Sequence, residues 1–153
     1  MGCLICERIG QIERGENPYF VCALSTGYVV LGDHQRFQGY TLFLCKRHVT
    51  ELYQLPWGFR TRFLQEMSLV AEAVAAVYHP EKMNYELLGN GDTHLHWHLF
   101  PRRSHDLEGY GNNGKGPVWW YPMEKMYDDA QRPSQAALET MKARLLAELE
   151  KLV

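Results

Sequence analysis

The chain has 153 residues, of which 46% are apolar, 12% aromatic and 22% charged, enough to bury a core as one compact domain and too apolar for general disorder. Sixteen basic against eighteen acidic side chains leave a net charge of −2, which excludes whole-surface attraction to nucleic acid or anionic lipid, so any phosphate contact must be local. No apolar run approaches the roughly 20 residues of a membrane-spanning helix and no secretory signal is legible, so the expectation is a soluble cytoplasmic protein with neither membrane nor nucleic acid as partner.

In chain order the first signal is Cys3-Leu-Ile-Cys6, the only two of the four cysteines at a spacing that implies chemistry. Without an oxidising compartment the pair reads as half of a metal site or as a redox pair. Metal is favoured, because a redox motif of this spacing normally follows a strand. Cys22 and Cys45 read as small buried hydrophobes. Met1-Gly2 is not a myristoylation signal, since Cys6 stands where that motif has Ser or Thr.

Aromatic and β-branched runs predict strands over Tyr19–Ala23, Tyr28–Leu31 and Tyr40–Leu44, separated by Gly-containing turns: an antiparallel meander. Phe63, Met67, Val70, Val74 and Val77 form a helical stripe between Arg60 and His79 that ends at Pro80. Strands follow over Tyr85–Leu88 and His94–Phe100, interrupted by Gly89-Asn-Gly-Asp92. Residues 104–118, rich in Gly and Asn, read as a long exposed loop. Leu138, Met141, Leu145, Leu149 and Leu152 mark a C-terminal helix opening near Pro133-Ser134. The fold class is therefore α+β: an antiparallel meander sheet with a central helix and a C-terminal helix, in one domain over 1–153. Its core spans 1–103, the loop 104–118, and a C-terminal extension with its helix 119–153.

The run Asn90-Gly-Asp-Thr-His94-Leu-His96-Trp-His98-Leu-Phe-Pro-Arg102 carries the chemistry. Alternation along a strand puts His94, His96 and His98 on one face and Leu95, Trp97 and Leu99 on the other. Three imidazoles in a row are an expensive way to build a core, and two functional readings compete. They form an open metal site that lowers the pKa of a bound water. Alternatively, one neutral imidazole attacks an electrophile such as phosphorus while its neighbours orient it. The surroundings favour phosphorus, since Gly89–Thr93 offers backbone N–H groups, an amide and a hydroxyl, and Arg102 and Arg103 add positive charge.

At these residues the chain resembles the histidine triad (HIT) family, in its nucleotide hydrolase branch with an N-terminal Cys-x-x-Cys zinc site. The resemblance runs from Cys3-x-x-Cys6 through Gly39-Tyr-Thr-Leu-Phe-Leu-Cys-Lys-Arg-His48 to His94-x-His96-x-His98 and about Arg103. It implies a HIT-like fold, a homodimer, and hydrolysis or transfer at the α-phosphorus of a nucleotide substrate. By the same resemblance His96 is the nucleophile, forming a nucleotidyl-histidine intermediate, and His98 hydrogen-bonds the phosphoryl or leaving group. Asn90 and Thr93 contact the phosphate, and Asp33 the ribose hydroxyls. Cys3, Cys6, His48 and His94 hold a structural Zn2+, a closed set that divides the triad between two tasks.

The chain departs from the family pattern at Tyr40, where a histidine is common, and at Cys45, where proline is usual. His98 stands where transferase branches commonly carry Gln, which favours hydrolysis. His34, His79 and His105 are expected to be exposed and without a role, and Trp119-Trp120-Tyr121 to pack rather than to stack a base. The expected function is hydrolysis of a dinucleoside polyphosphate or a nucleoside phosphoramidate. The rivals are a nucleotide-binding sensor or scaffold with little turnover, and a metalloenzyme using all three histidines.

Overall fold

The computed structural model describes residues 2–153. Its elements run α1 (Leu4–Glu13), β1 (Phe20–Ala23), β2 (Gly27–Leu31), β3 (Thr41–Cys45), α2 (Trp57–Tyr78), β4 (Lys82–Glu86), β5 (His96–Arg102), α3 (Met123–Met126) and α4 (Gln135–Glu150). The five strands form one sheet in the order β1-β2-β3-β5-β4. Every neighbouring pair is antiparallel. The class is α+β, as the residue pattern predicts.

Alternation sorts the two faces of this sheet. Val29, Leu31, Phe43 and Leu99 point to one side, where they are fully or almost fully buried against Phe63, Val70 and Val74 of α2 and Leu138, Leu145 and Leu149 of α4. Val30 and Leu44 point to the other side and meet Ile5 and Ile9 of α1. Further along that second face, Tyr40 and Phe100 pack with Phe37, Leu107, Val118, Tyr121 and Met126. Leu42 pairs with His98 and Leu44 with His96 across β3 and β5, so both histidines open onto the second face.

The helix ends follow local chemistry. Helix α2 stops at His79, whose φ of 50° lies in the left-handed region, and Pro80 behind it disfavours further helix. Ser134 caps α4 by accepting the Ala137 N–H at 3.1 Å. Among the described residues no helix is long and apolar enough to cross a membrane.

Three expectations require correction. No helix is expected at residues 4–13, yet α1 forms there, capped by the Cys3 sulfur, which accepts the Cys6 N–H at 3.3 Å. The last two strands lie over Lys82–Glu86 and His96–Arg102 rather than over Tyr85–Leu88 and His94–Phe100. His94 precedes the ladder, with its side chain against the Cys45 carbonyl oxygen at 2.8 Å. The loop over 104–118 is also less exposed than its composition suggests, with Leu107 and Val118 fully buried. It is pinned by Asp106, which receives Arg102 Nε and Nη2 at 2.8 and 3.0 Å and the Arg103 N–H at 3.0 Å.

One buried charge ties α2 to the sheet. Glu66 is 1% exposed, and its carboxylate accepts the Ser25 and Thr26 N–H groups at 2.8 and 3.1 Å and the Thr26 hydroxyl at 3.0 Å. It therefore satisfies the turn between β1 and β2, whose donors have no other protein partner of comparable quality. Glu66→Ala is expected to cost about 3 kcal/mol by orphaning those donors, and thermal or denaturant unfolding checks it.

Candidate metal cluster and histidine site

The Cys-x-x-Cys pair, His48 three residues past β3 and His94 two residues before β5 converge at one end of the sheet. The ligand atoms of Cys3, Cys6, His48 and His94 all lie within 4.8 Å of one another. Cys6 Sγ is 3.1 Å from His48 Nδ1 and 3.4 Å from His94 Nδ1, and Cys3 Sγ is 3.5 Å from His94 Nδ1. A tetrahedral zinc with ordinary Zn–S and Zn–N bonds requires a nitrogen-to-sulfur edge of about 3.5 Å. The donor set and its spacing thus fit a metal ion. The tautomer of His94 agrees: its Nε2 faces the Cys45 carbonyl oxygen at 2.8 Å. A carbonyl only accepts, so Nε2 carries the proton and Nδ1 offers its lone pair to the cluster.

His94 also sets the second histidine. Its backbone oxygen lies 2.6 Å from His96 Nδ1, which must therefore donate. In the neutral imidazole this bond leaves the lone pair on Nε2. It is 6% exposed and lines two cavities. One, about 140 Å3, includes Gly89, Asn90 and Thr93 on its wall. The other, about 400 Å3, has Val30, Leu42 and Leu44 as an apolar floor, with Asp33 and His98 on its wall. The predicted residues Asn90, Thr93, Asp33, His96 and His98 are thus gathered around the same imidazole.

His98 is enclosed. Its Nδ1 is 2.6 Å from the Tyr40 hydroxyl, the Phe100 ring lies nearly parallel to it, and the Trp119 ring meets it edge-on at a centroid distance of 5.8 Å. His96 stands 4.7 Å away between ring centroids. Burial, with repulsion from His96 in second place, pushes the His98 imidazole down to about 3. His98 is therefore neutral at physiological pH. Trp119 packs beside it with its indole N–H donated to Glu86 at 2.7 Å, and Tyr121 is buried, but Trp120 is about half exposed, so the packing expected of this aromatic run holds for two of its three rings.

The structure corrects two expectations about the surroundings. Arg102 and Arg103 do not lend charge to the histidines. Arg102 is engaged by Asp106, by Asn84 Oδ1 at 2.8 Å and by the Gly116 carbonyl at 2.9 Å, while Arg103 donates to the Tyr78 carbonyl at 2.7 Å. Nor is His34 a detached surface residue. It lines the larger cavity and meets Tyr127 edge-on at 5.2 Å. His79 and His105 are exposed, as expected.

Sequence reasoning missed the residues that reach the larger cavity from the two ends of the chain. Arg8 of α1 donates to Asp33 at 2.9 Å, and Arg132, after α3, lies 3.8 Å from the same carboxylate and donates to the Tyr19 hydroxyl at 3.0 Å. The available signal was Ile5, Ile9 and Ile12 at helical spacing, which would have placed Arg8 on a helix beside the sheet. Nothing local marks Arg132.

Comparison with known proteins supports this description. A family model described as the HIT domain matches residues 15–105. Among curated proteins none matches the chain. A solved histidine triad (HIT) protein from Sinorhizobium meliloti 1021 is similar at a TM-score of 0.72 and 25% identity, over 89% of this chain and 93% of that one. A Zn-bound histidine triad family protein from Mycobacterium smegmatis reaches 0.65 at 19% identity, over 99% and 96%. A hypothetical histidine triad nucleotide-binding protein from Sulfolobus tokodaii strain7 reaches 0.68 at 16% identity, over 96% and 93%. The last two establish likeness of fold.

The depressed His98 has a consequence for stability. In the unfolded chain a histidine takes up its proton near pH 6.5, whereas the folded form refuses it until about pH 3. Stability is therefore complete above pH 6.5 and declines as pH falls through that window. Between pH 6.5 and 5.5 the melting temperature of the wild type is expected to drop about 3 °C further than that of His98→Gln, as thermal scans at matched ionic strength would register.

Proposed function

The chain belongs to the HIT domain family, and on that premise we propose that it is a nucleotide hydrolase acting at the α-phosphorus of a dinucleoside polyphosphate or a nucleoside phosphoramidate. The observation that carries this reading is the pair of complementary imidazoles. His96 donates Nδ1–H to the His94 carbonyl and keeps a lone pair on Nε2, and a neutral His98 stands beside it.

In the first step the His96 Nε2 lone pair forms a bond to the α-phosphorus while the bond to the leaving group breaks, and that group departs with the bonding electrons. A polyphosphate leaves as an anion and needs no proton, whereas a phosphoramidate leaves as the free amine, its nitrogen having taken a proton from solvent before the bond to phosphorus breaks. His98 contributes a hydrogen bond to the charge developing on oxygen and transfers nothing, because a neutral imidazole is a donor but a very weak acid. In the second step water attacks the same phosphorus, the P–N bond breaks, and its electrons return to His96 Nε2. Nucleoside monophosphate is released, and the proton lost by water passes to solvent. Asn90, Thr93 and the backbone N–H groups of Gly89–Thr93 hold the phosphate. Asp33 takes the ribose hydroxyls, with Arg8 and Arg132 fixing its carboxylate.

Zinc is the metal this reading assigns to Cys3, Cys6, His48 and His94. Four protein ligands close its coordination, so it serves the fold and holds His94 in place. A Zn-bound relative of the same fold supports the assignment. The reading takes the protein as a homodimer. The free edge of β4, with Tyr85 and Leu88 about half exposed, supports a second copy pairing there.

Two variants separate the tasks. His96→Ala is expected to lose turnover of diadenosine tetraphosphate and adenosine phosphoramidate by at least about a thousandfold, while keeping its zinc content and melting temperature. Cys3→Ala is expected to lose zinc and stability together. Steady-state kinetics, metal analysis and thermal unfolding on both proteins decide it, and full activity in His96→Ala would overturn the mechanism.

A further inference from the structure

Tyr40 occupies the position where the family commonly has a histidine, and nothing in the mechanism above assigns it work. Its placement is tightly determined. Its backbone N–H donates to the Phe37 carbonyl at 3.0 Å, and its own carbonyl accepts from Gly32 N and Gln35 Nε2, both at 2.9 Å. Its ring stacks on Phe100 at a centroid distance of 4.0 Å and an interplanar angle of 14°. Gly32 is required beside it, because any Cβ there would run into the Tyr40 ring. The side chain is 8% exposed, and the hydroxyl has one hydrogen-bond partner among the described residues, His98 Nδ1 at 2.6 Å.

A buried phenol needs an acceptor for its proton. Among the described residues the acceptor within reach is the His98 Nδ1 lone pair; accepting there, that nitrogen carries no hydrogen and a neutral imidazole keeps its proton on Nε2. The same bond opposes a ring flip, which would set a C–H against the hydroxyl and orphan it. Trp119, itself held by Glu86 at 2.7 Å, meets the His98 ring edge-on.

We propose that Tyr40 is a positioning residue that fixes His98 as the Nε2–H tautomer, so that His98 presents a hydrogen-bond donor to the phosphoryl or leaving-group oxygen beside the His96 lone pair. This rests on the hydrolase reading for its catalytic consequence, but not for its structural content. Adjacent imidazoles thereby hold opposite tautomers, each set by a different acceptor or donor: the His94 carbonyl for His96 and the Tyr40 hydroxyl for His98.

The test is 15N NMR of histidine-labelled, metal-loaded protein at pH 7, in the wild type and in Tyr40→Phe, which keeps the stacked ring and removes only the hydroxyl. The wild type should show His98 protonated at Nε2 and unprotonated at Nδ1, and Tyr40→Phe should show a mixture of both tautomers. With diadenosine tetraphosphate, kcat should fall about tenfold, the loss of one oriented hydrogen bond, while KM stays within about twofold. A wild-type His98 protonated at Nδ1, or a Tyr40→Phe protein that keeps the pure Nε2–H form, would overturn the proposal. So would a rise in KM at constant kcat. If the wild type turns over no substrate, the hydrolase reading fails while the tautomer comparison still decides the role of Tyr40.

Discussion

The hydrogen bond from His96 Nδ1 to the backbone oxygen of His94, at 2.6 Å, is the constraint on which the site depends. It is local, between residues two apart in sequence, and it fixes which nitrogen of His96 faces the cavities. The residue that supplies the oxygen is itself held at both ends. Its Nε2–H goes to Cys45 and its Nδ1 to the sulfurs of Cys3 and Cys6. One histidine thus belongs to the ligand cluster through its side chain and to the reactive pair through its backbone. Loosening the cluster would loosen the carbonyl that sets the His96 tautomer, which links folding chemistry to reaction chemistry without requiring an open metal position.

The larger cavity is built differently, from parts distant in sequence. Sheet residues Val30, Leu42 and Leu44 give it an apolar floor, while Arg8 from the first helix and Arg132 from the C-terminal extension meet at Asp33 on its rim. Apolar area with a few fixed polar groups is what a small-molecule site requires. Asp33 is held by two cations, which fix the orientation of its carboxylate. Both arginines lie outside residues 15–105, the part shared most plainly with the HIT domain.

The contrast between these two regions explains what the sequence could reveal. The alternation that separates His96 and His98 from Trp97 and Leu99 is a property of the strand alone, so it was legible and the structure bears it out. The ligand set Cys3, Cys6, His48 and His94 came from a family resemblance, and its convergence could not be derived from spacing. Nearness of Arg102 and Arg103 to the histidines in sequence is not nearness in space, because β5 leads them past the histidines to Asp106 and Tyr78. Helix α1 was missed because its cap is a cysteine, outside the usual capping residues. The bond between Tyr40 and His98 spans 58 positions and depends on register across β3 and β5, so no local pattern announces it.

The central claim is that His96 attacks phosphorus and carries the nucleotidyl group. Mass spectrometry of wild-type protein, mixed with diadenosine tetraphosphate or adenosine phosphoramidate and quenched in acid-free denaturant within milliseconds, tests it most directly. The account predicts a transient adenylyl adduct mapped to His96, decaying as adenosine monophosphate appears. Product release with an adduct on another residue would contradict it. Nucleotide binding with neither adduct nor product would point instead to a sensor.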